Sequence, residues 1–319
     1  MPCNLCGSHQ VSVLANRSRC GANLRSVICI DCGLVWSDPF PYDPRKFYEN
    51  DYRLEYKKTC APKPKHILRA GKVALTRYHK IRHLLTRRQT LLDVGTGGGE
   101  FAFLLQSLGH ELFGIEPNRG YAEYSIAEYA LNLQVGFIQD SQFNASSFDV
   151  ITIWHVLEHT ADPGQVLAKL QSLLKPQGYL IVEVPNIEAV CQSPKSTFHS
   201  AHLFNFNLPT LTRLGEKAGL KVESHLFSKD GGNITLFFRK AAPVVSSPEN
   251  WSIPGNAERI STRINSHCNL NHYLTLAPYE RFFLRMLRAV SERIRVRAYE
   301  SNKDLLEHLY QKVLATDKV

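Results

Sequence analysis

Apolar and polar positions follow two alternating periods through the middle of the chain. Short apolar runs recur at residues 91–94, 111–116, 137–140, 147–154 and 179–186, three of them ending in an acid or an amide, the pattern of buried strands. Between them the period lengthens. Phe101, Leu104, Leu105 and Leu108 fall at i, i+3, i+4 and i+7, and Gly109 stops that helix. Residues 122–131 predict the next helix. Asp162-Pro163 opens another, the acid capping and the proline in the first turn, with Val166, Leu170, Leu173 and Leu174 as its buried stripe. Residues 66–87 and 209–218 predict further helices, and 222–227 and 233–238 two last strands. Strands alternating with helices predict an α/β fold, a parallel sheet with helices on both faces.

The first of these strands runs into Asp93-Val94-Gly95-Thr96-Gly97-Gly98-Gly99-Glu100. Glycines there let the chain turn sharply and let a ligand lie against bare peptide groups. A dinucleotide turn needs G-x-G-x-x-G/A, and its last slot falls here on Glu100, an acid where a pyrophosphate would sit. The phosphate-loop pattern G-x-x-x-x-G-K-[ST] is absent. The remaining acid-x-G-x-G-x-G pattern suits a nucleoside without phosphates and with a positive charge, and S-adenosylmethionine (SAM) fits that description. Glu116 ends the next strand about 20 residues on, the offset of an acid that binds ribose.

Taken in order, these segments resemble the class I SAM-dependent methyltransferases over roughly residues 90–240. The resemblance implies a Rossmann-like sheet closed by an antiparallel last strand. It implies that Asp93, Gly95, Gly97 and Gly99 hold SAM, that Glu116 takes the ribose hydroxyls, and that Asp140 faces the adenine. His155 follows the fourth strand and would border the methyl group or the substrate, while His159 braces the turn. The segment Thr197 to Phe206 carries an "HL-aromatic-x-F" phrase found in many small-molecule methyltransferases. By that likeness His202 is the expected general base, a neutral imidazole able to take a proton near pH 7. Relatives that methylate a carbon of nucleotide-linked sugars share the phrase and a glycine pair like Gly231-Gly232, but carry a long second domain that this chain lacks.

Two C-x-x-C-G knuckles, Cys3/Cys6 and Cys29/Cys32, stand near the N-terminus. Two such turns present four thiolates to a tetrahedral zinc, which would be structural because the four ligands fill its shell. Cys20 is a rival ligand; Cys60, Cys191 and Cys268 read as isolated packing residues. Short zinc modules ending like Leu34-Val35-Trp36-Ser37-Asp38-Pro39 precede a subset of small-molecule methyltransferases. In that subset a tyrosine-rich segment follows, and Tyr48, Tyr52 and Tyr56 here recur on one helix face, either as an aromatic core stripe or as a lid over the SAM pocket. The expected organisation is a zinc ribbon (1–38), a helical and aromatic cap (39–89), a methyltransferase domain (90–240), and a linker with C-terminal helices (241–319).

Charge adds a question about partners. The net charge is +9, and the excess is clustered: residues 57–88 hold eleven Lys and Arg and no acid. Residues 279–296 predict an amphipathic helix with Phe283, Met286, Leu287, Val290 and Ile294 on one side and arginines on the other. The favoured expectation packs that helix on the catalytic domain or on the twin subunit of a homodimer. The alternative lays it on a membrane surface. No run of 18 apolar residues and no basic-then-apolar leader occurs, so the expected location is cytoplasmic, with peripheral contact at the inner membrane surface as the variant. The expected acceptor is a small molecule: a glycan precursor, a lipid or a secondary metabolite. A nucleic-acid methyltransferase ranks second, because Trp154-His155-Val156-Leu157 stands where base N-methylating enzymes place N/D-P-P-aromatic. A non-catalytic SAM-binding zinc-ribbon protein ranks third.

Overall fold

A computed structural model describes residues 1–47, 62–241 and 251–317. Tyr48, Tyr52, Tyr56 and Cys60, and with them the aromatic cap reading, lie outside the described residues, as does most of the linker. The strands are β1 (Val11–Arg17), β2 (Asn23–Cys29), β3 (Val35–Ser37), β4 (Thr90–Val94), β5 (Glu111–Glu116), β6 (Leu133–Val135), β7 (Phe148–Trp154), β8 (Leu174–Pro185), β9 (Phe204–Asn205), β10 (Leu220–Phe227) and β11 (Asn233–Lys240). The main helices are α1 (Pro64–Ile81), α2 (Glu100–Ser107), α3 (Arg119–Tyr129), α4 (Pro163–Leu173), α5 (Leu208–Lys217), α6 (Asn256–Ser266), α7 (Asn269–Tyr273), α8 (Ala277–Arg295) and α9 (Asn302–Thr316).

The chain divides into two compact units. The first comprises Met1–Pro44 and Ile153–Glu280, the second Arg45–Thr152 and Arg281–Val319. Neighbouring strands run β10-β11-β8-β7 in the first and β7-β4-β5-β6 in the second, β7 contributing to both. The pairs β4–β5 and β5–β6 are parallel, whereas β11 is antiparallel to both β8 and β10. This is the Rossmann-like methyltransferase sheet that the sequence resemblance implies, with its antiparallel last strand inserted beside β8.

In the first unit, β1, β2, β3 and β9 form a smaller sheet. Its apolar face packs Leu24, Ile28 and Val35 with Ile187, Phe198 and, from α6, Ile260. The segment after residue 250 therefore returns to the N-terminal module. Ile253 N–H donates to Asp31 O at 2.8 Å, and Asn256 Nδ2 donates to Cys32 O at 2.8 Å. Asp162 caps α4 as its sequence suggests, accepting from Gln165 N–H at 2.8 Å, and it also takes a bond from Asn4 Nδ2 at 2.9 Å. Asn207 and Thr210 close a capping box on α5.

In the second unit, β4 and α2 bury Leu91, Leu92, Val94, Phe101, Leu104 and Leu105. The C-terminal α9 belongs to this core. Gly71 of α1 lies against it so closely that an added Cβ would stand 2.6 Å from Leu306. Tyr310 Oη donates to Glu100 O at 2.9 Å, and Asn302 Nδ2 donates to Tyr124 Oη at 2.8 Å.

Two local expectations shift. The third strand is Leu133–Val135 rather than 137–140; Gly136, at φ +144°, takes the chain out of extended register, and Ile138–Asp140 forms a 3-10 turn. The apolar side of α8 does not pack on the domain. Phe282, Phe283, Leu284, Met286, Leu287 and Ile294 are all exposed, while Glu292 is buried. Among the described residues no helix is long and apolar enough to cross a membrane.

Candidate functional site

The second unit carries the glycine turn. Gly95, Gly97 and Gly99 have φ of +74°, +61° and +86°, a left-handed region that costs residues with a Cβ. Gly99 is doubly constrained, since a Cβ there would also lie 2.9 Å from Ser125 and from Leu131. Gly95 N–H donates to Ile115 O at 2.8 Å, which ties the turn to the end of β5. That end is Glu116, 4% exposed. Its carboxylate accepts from Gly97 N–H at 2.8 Å and from Asn118 N–H at 3.1 Å. Asn118 in turn caps α3 by accepting from Tyr121 N–H. The strand end, the glycine turn and the next helix start are thus held by one carboxylate, and sequence reasoning missed Asn118 in this role.

Asp93 is 2% exposed and accepts from Thr152 Oγ1 at 2.7 Å. Burial raises its pKa to about 6, against the downward pull of Thr152 and Arg77, and Glu116 adds a further rise. Asp140 stands apart from this buried pair. It is exposed and ion-paired to Arg45 at 2.8 Å, which holds its carboxyl below the usual range.

The first unit carries the histidines. His155 follows β7 with φ +56°, a strained conformation for a non-glycine residue, and its N–H donates to Glu183 O at 2.8 Å. Its Nδ1 lies 3.3 Å from Glu158 Oε1 and its Nε2 3.4 Å from Glu183 Oε1. Lost hydration pulls its pKa down, but the two carboxylates outweigh that and lift it to about 9. Glu183 is oriented by Thr235 Oγ1, which donates to Oε2 at 2.6 Å. His159 Nδ1 lies 2.6 Å from Ala201 O; a carbonyl only accepts, so Nδ1 bears the proton and Nε2 faces Glu158 at 3.8 Å.

His202 stacks on His199 with centroids 4.8 Å apart and meets His159 edge-on at 5.0 Å. Lost hydration, and then the charge of His159, push its pKa down to about 3. His199 falls to about 4 for the same first reason, and its Nδ1 accepts from Ala201 N–H at 2.9 Å. The structure brings His155 and His202 into one network through Glu158 and His159. Glu158 and Glu183, which complete that network, were overlooked; an acid inside the apolar run Ile181-Val182-Glu183-Val184 was the visible signal. Glu158, His159 and His202 also converge within 4.8 Å as ligand-bearing groups, but Glu158 Oε1 already faces His155.

The four knuckle cysteines are buried, with their sulfurs within 4.8 Å of one another; Cys3 and Cys32 stand 3.4 Å apart, Cys6 and Cys29 3.5 Å. Gly7 N–H donates to Cys3 O and Gly33 N–H to Cys29 O, both at 2.9 Å, so each glycine closes its knuckle. Cys20 and Cys268 are exposed and Cys191 is half-buried.

A family model for a methyltransferase domain matches residues 65–225. The chain belongs to the class I SAM-dependent methyltransferases. Its methyltransferase domain is similar to a probable S-adenosylmethionine-dependent methyltransferase of Mycolicibacterium smegmatis, 25% identical over 150 residues that cover 47% of this chain and 58% of the relative. It is also similar to the ubiquinone biosynthesis O-methyltransferase of Albidiferax ferrireducens, 31% identical over 126 residues covering 34% and 44%. The chain spans about half the length of these curated relatives. Among solved structures, 1,6-didemethyltoxoflavin-N1-methyltransferase of Burkholderia thailandensis aligns with a TM-score of 0.46 and 17% identity, over 66% of this chain and 97% of that one.

Proposed function

We propose that this chain transfers a methyl group from SAM to an acidic hydroxyl of a small-molecule acceptor. The observation that carries the donor half is Glu116, a buried carboxylate fixed by two backbone amides at the end of β5, with acceptor lone pairs left for a ribose diol. Gly95, Gly97 and Gly99 present bare backbone beside it, and Asp93 fixes the strand end behind them. Asp140 would reach an adenine only by releasing Arg45. SAM supplies an electrophilic methyl group on a sulfonium sulfur.

The acceptor half rests on the opposite states of two histidines. His155, with a pKa of about 9, is a cation at neutral pH whose two ring N–H groups are turned to Glu158 and Glu183, so it acts as a positioning residue at the end of β7. His202, with a pKa of about 3, is neutral there and free to take a proton, but it is a weak base. Such a base matches an acceptor whose O–H is already acidic, such as a phenol or enol, far better than a carbon acid. The likeness to ubiquinone biosynthesis O-methyltransferases supports O-methylation over C-methylation.

The cysteine cluster fits a structural zinc. A tetrahedron of about 2.3 Å Zn–S bonds has edges of about 3.8 Å, inside the spread of these sulfurs. Cys3, Cys6, Cys29 and Cys32 would hold the ion and so fasten the N-terminal segment to the β2–β3 turn.

Replacing Glu116 by Ala should weaken SAM binding in calorimetry by at least about tenfold, or roughly 1.4 kcal/mol. Unchanged affinity would overturn the donor assignment. Transfer of labelled methyl should appear with phenolic members of an acceptor panel and fall sharply in His202→Ala. Transfer to sugar carbons instead would overturn the acceptor reading.

A further inference from the structure

The helix α8 is turned inside out relative to the unit it belongs to. Phe283 and Glu292 are nine residues apart, which at about 100° per residue places them on opposite sides of the helix. The contact with α1 is made from the polar side: Glu292 is 1% exposed and accepts from Arg69 Nε at 2.7 Å, while Arg285 and Arg288 stay exposed. The apolar side faces outward. Phe282, Phe283, Leu284, Met286, Leu287 and Ile294 are each between 53% and 68% exposed, a run of large side chains that a soluble surface rarely presents together.

We propose that this outward face of α8 docks on an anionic lipid surface. Charge selects that occupant. Residues 281–297 hold six arginines (Arg281, Arg285, Arg288, Arg293, Arg295 and Arg297) and one acid, Glu292, which is buried and already paired with Arg69. On the adjoining α1, Lys65, Lys72 and Lys80 add positive charge with no acid in the helix. An anionic membrane offers both things the face lacks: an apolar layer for the phenylalanines, leucines and methionine, and negative headgroups within reach of the long arginine side chains. The helix is 19 residues long and carries too much charge to span a bilayer, so it would lie in the interfacial plane. The inference stands on α8 and α1 alone and does not depend on the acceptor assignment.

The test is co-sedimentation of the full chain with vesicles of phosphatidylcholine, with and without phosphatidylglycerol, alongside light scattering of the lipid-free protein. Binding should require phosphatidylglycerol and weaken as salt is raised. Phe283→Glu and Leu287→Glu should each reduce it by about tenfold or more, and Arg285→Gln with Arg288→Gln should reduce it only in low salt. The altered side chains are exposed, so thermal melts should match the parent protein. Failure to bind phosphatidylglycerol vesicles would overturn the proposal, as would Phe283→Glu binding as well as the parent. A lipid-free dimer that Phe283→Glu dissociates would assign the face to a second copy, and would overturn it too.

Discussion

Burying the Asp93 carboxyl works against the fold at neutral pH, and Asp93→Asn should expose that cost. The carboxyl is 2% exposed, it accepts from Thr152 Oγ1 at 2.7 Å, and burial lifts its pKa from 3.8 to about 6. In the unfolded chain the group ionises near 3.8, so between these two values the folded state holds a proton that the unfolded state has released. Stability contributed by that proton is complete below pH 3.8 and is lost as the pH rises through 6. At about 1.4 kcal/mol per pH unit, the interval amounts to about 3 kcal/mol against the ionised fold at neutral pH. Asparagine keeps an oxygen for Thr152 and carries no charge to desolvate, but its amide hydrogens are buried, at a cost of roughly 1–2 kcal/mol. The expected net result is a protein about 1–2 kcal/mol more stable than the parent at pH 7.5 and less stable than the parent at pH 4. Urea denaturation of both proteins at both values measures it, with equal slopes showing that the comparison is of stability alone. An Asn variant less stable at pH 7.5, or a parent whose stability is flat between pH 4 and 7, would refute the reasoning.

Two further outcomes follow from the first unit. Metal analysis should find one zinc per chain, and Cys29→Ser should lose it together with the protection of residues 1–37 from protease; full protection without metal would remove the zinc assignment. His155 has a raised pKa, so its charged form stabilises the fold fully below pH 6.5, and that contribution disappears as the pH rises through about 9. Methyl transfer should fall over the same alkaline limb, and Glu183→Gln should move the limb to lower pH, whereas an unmoved limb would detach His155 from it.

The elements that position the site were largely legible in the residues, for local reasons. The glycine turn declares itself because only glycine takes φ near +60° to +90° at alternate positions without strain, and Glu116 follows at the spacing that one helix and one strand impose. Asp162-Pro163 fixed a helix start because a cap and a first-turn proline act within four residues. The third strand is misplaced in sequence for an equally local reason: the apolar Phe137 and Ile138 look like a strand, but Gly136 has already turned the chain away from β6. The charge states of the histidines were out of reach. His155 and His202 are both plain imidazoles in sequence; Glu158 and Glu183, the latter oriented by Thr235, make the first a cation, while burial and the neighbouring His159 keep the second neutral.

By itself the sequence determined the fold family, the nucleoside type of the donor and the paired thiol knuckles, since each rests on backbone conformation or ligand spacing over a few residues. It also determined that α8 has an apolar and a basic side. Only tertiary structure decided how the helix is held: Arg69 on α1 draws Glu292 inward, and the phenylalanines and leucines away from that contact stay exposed.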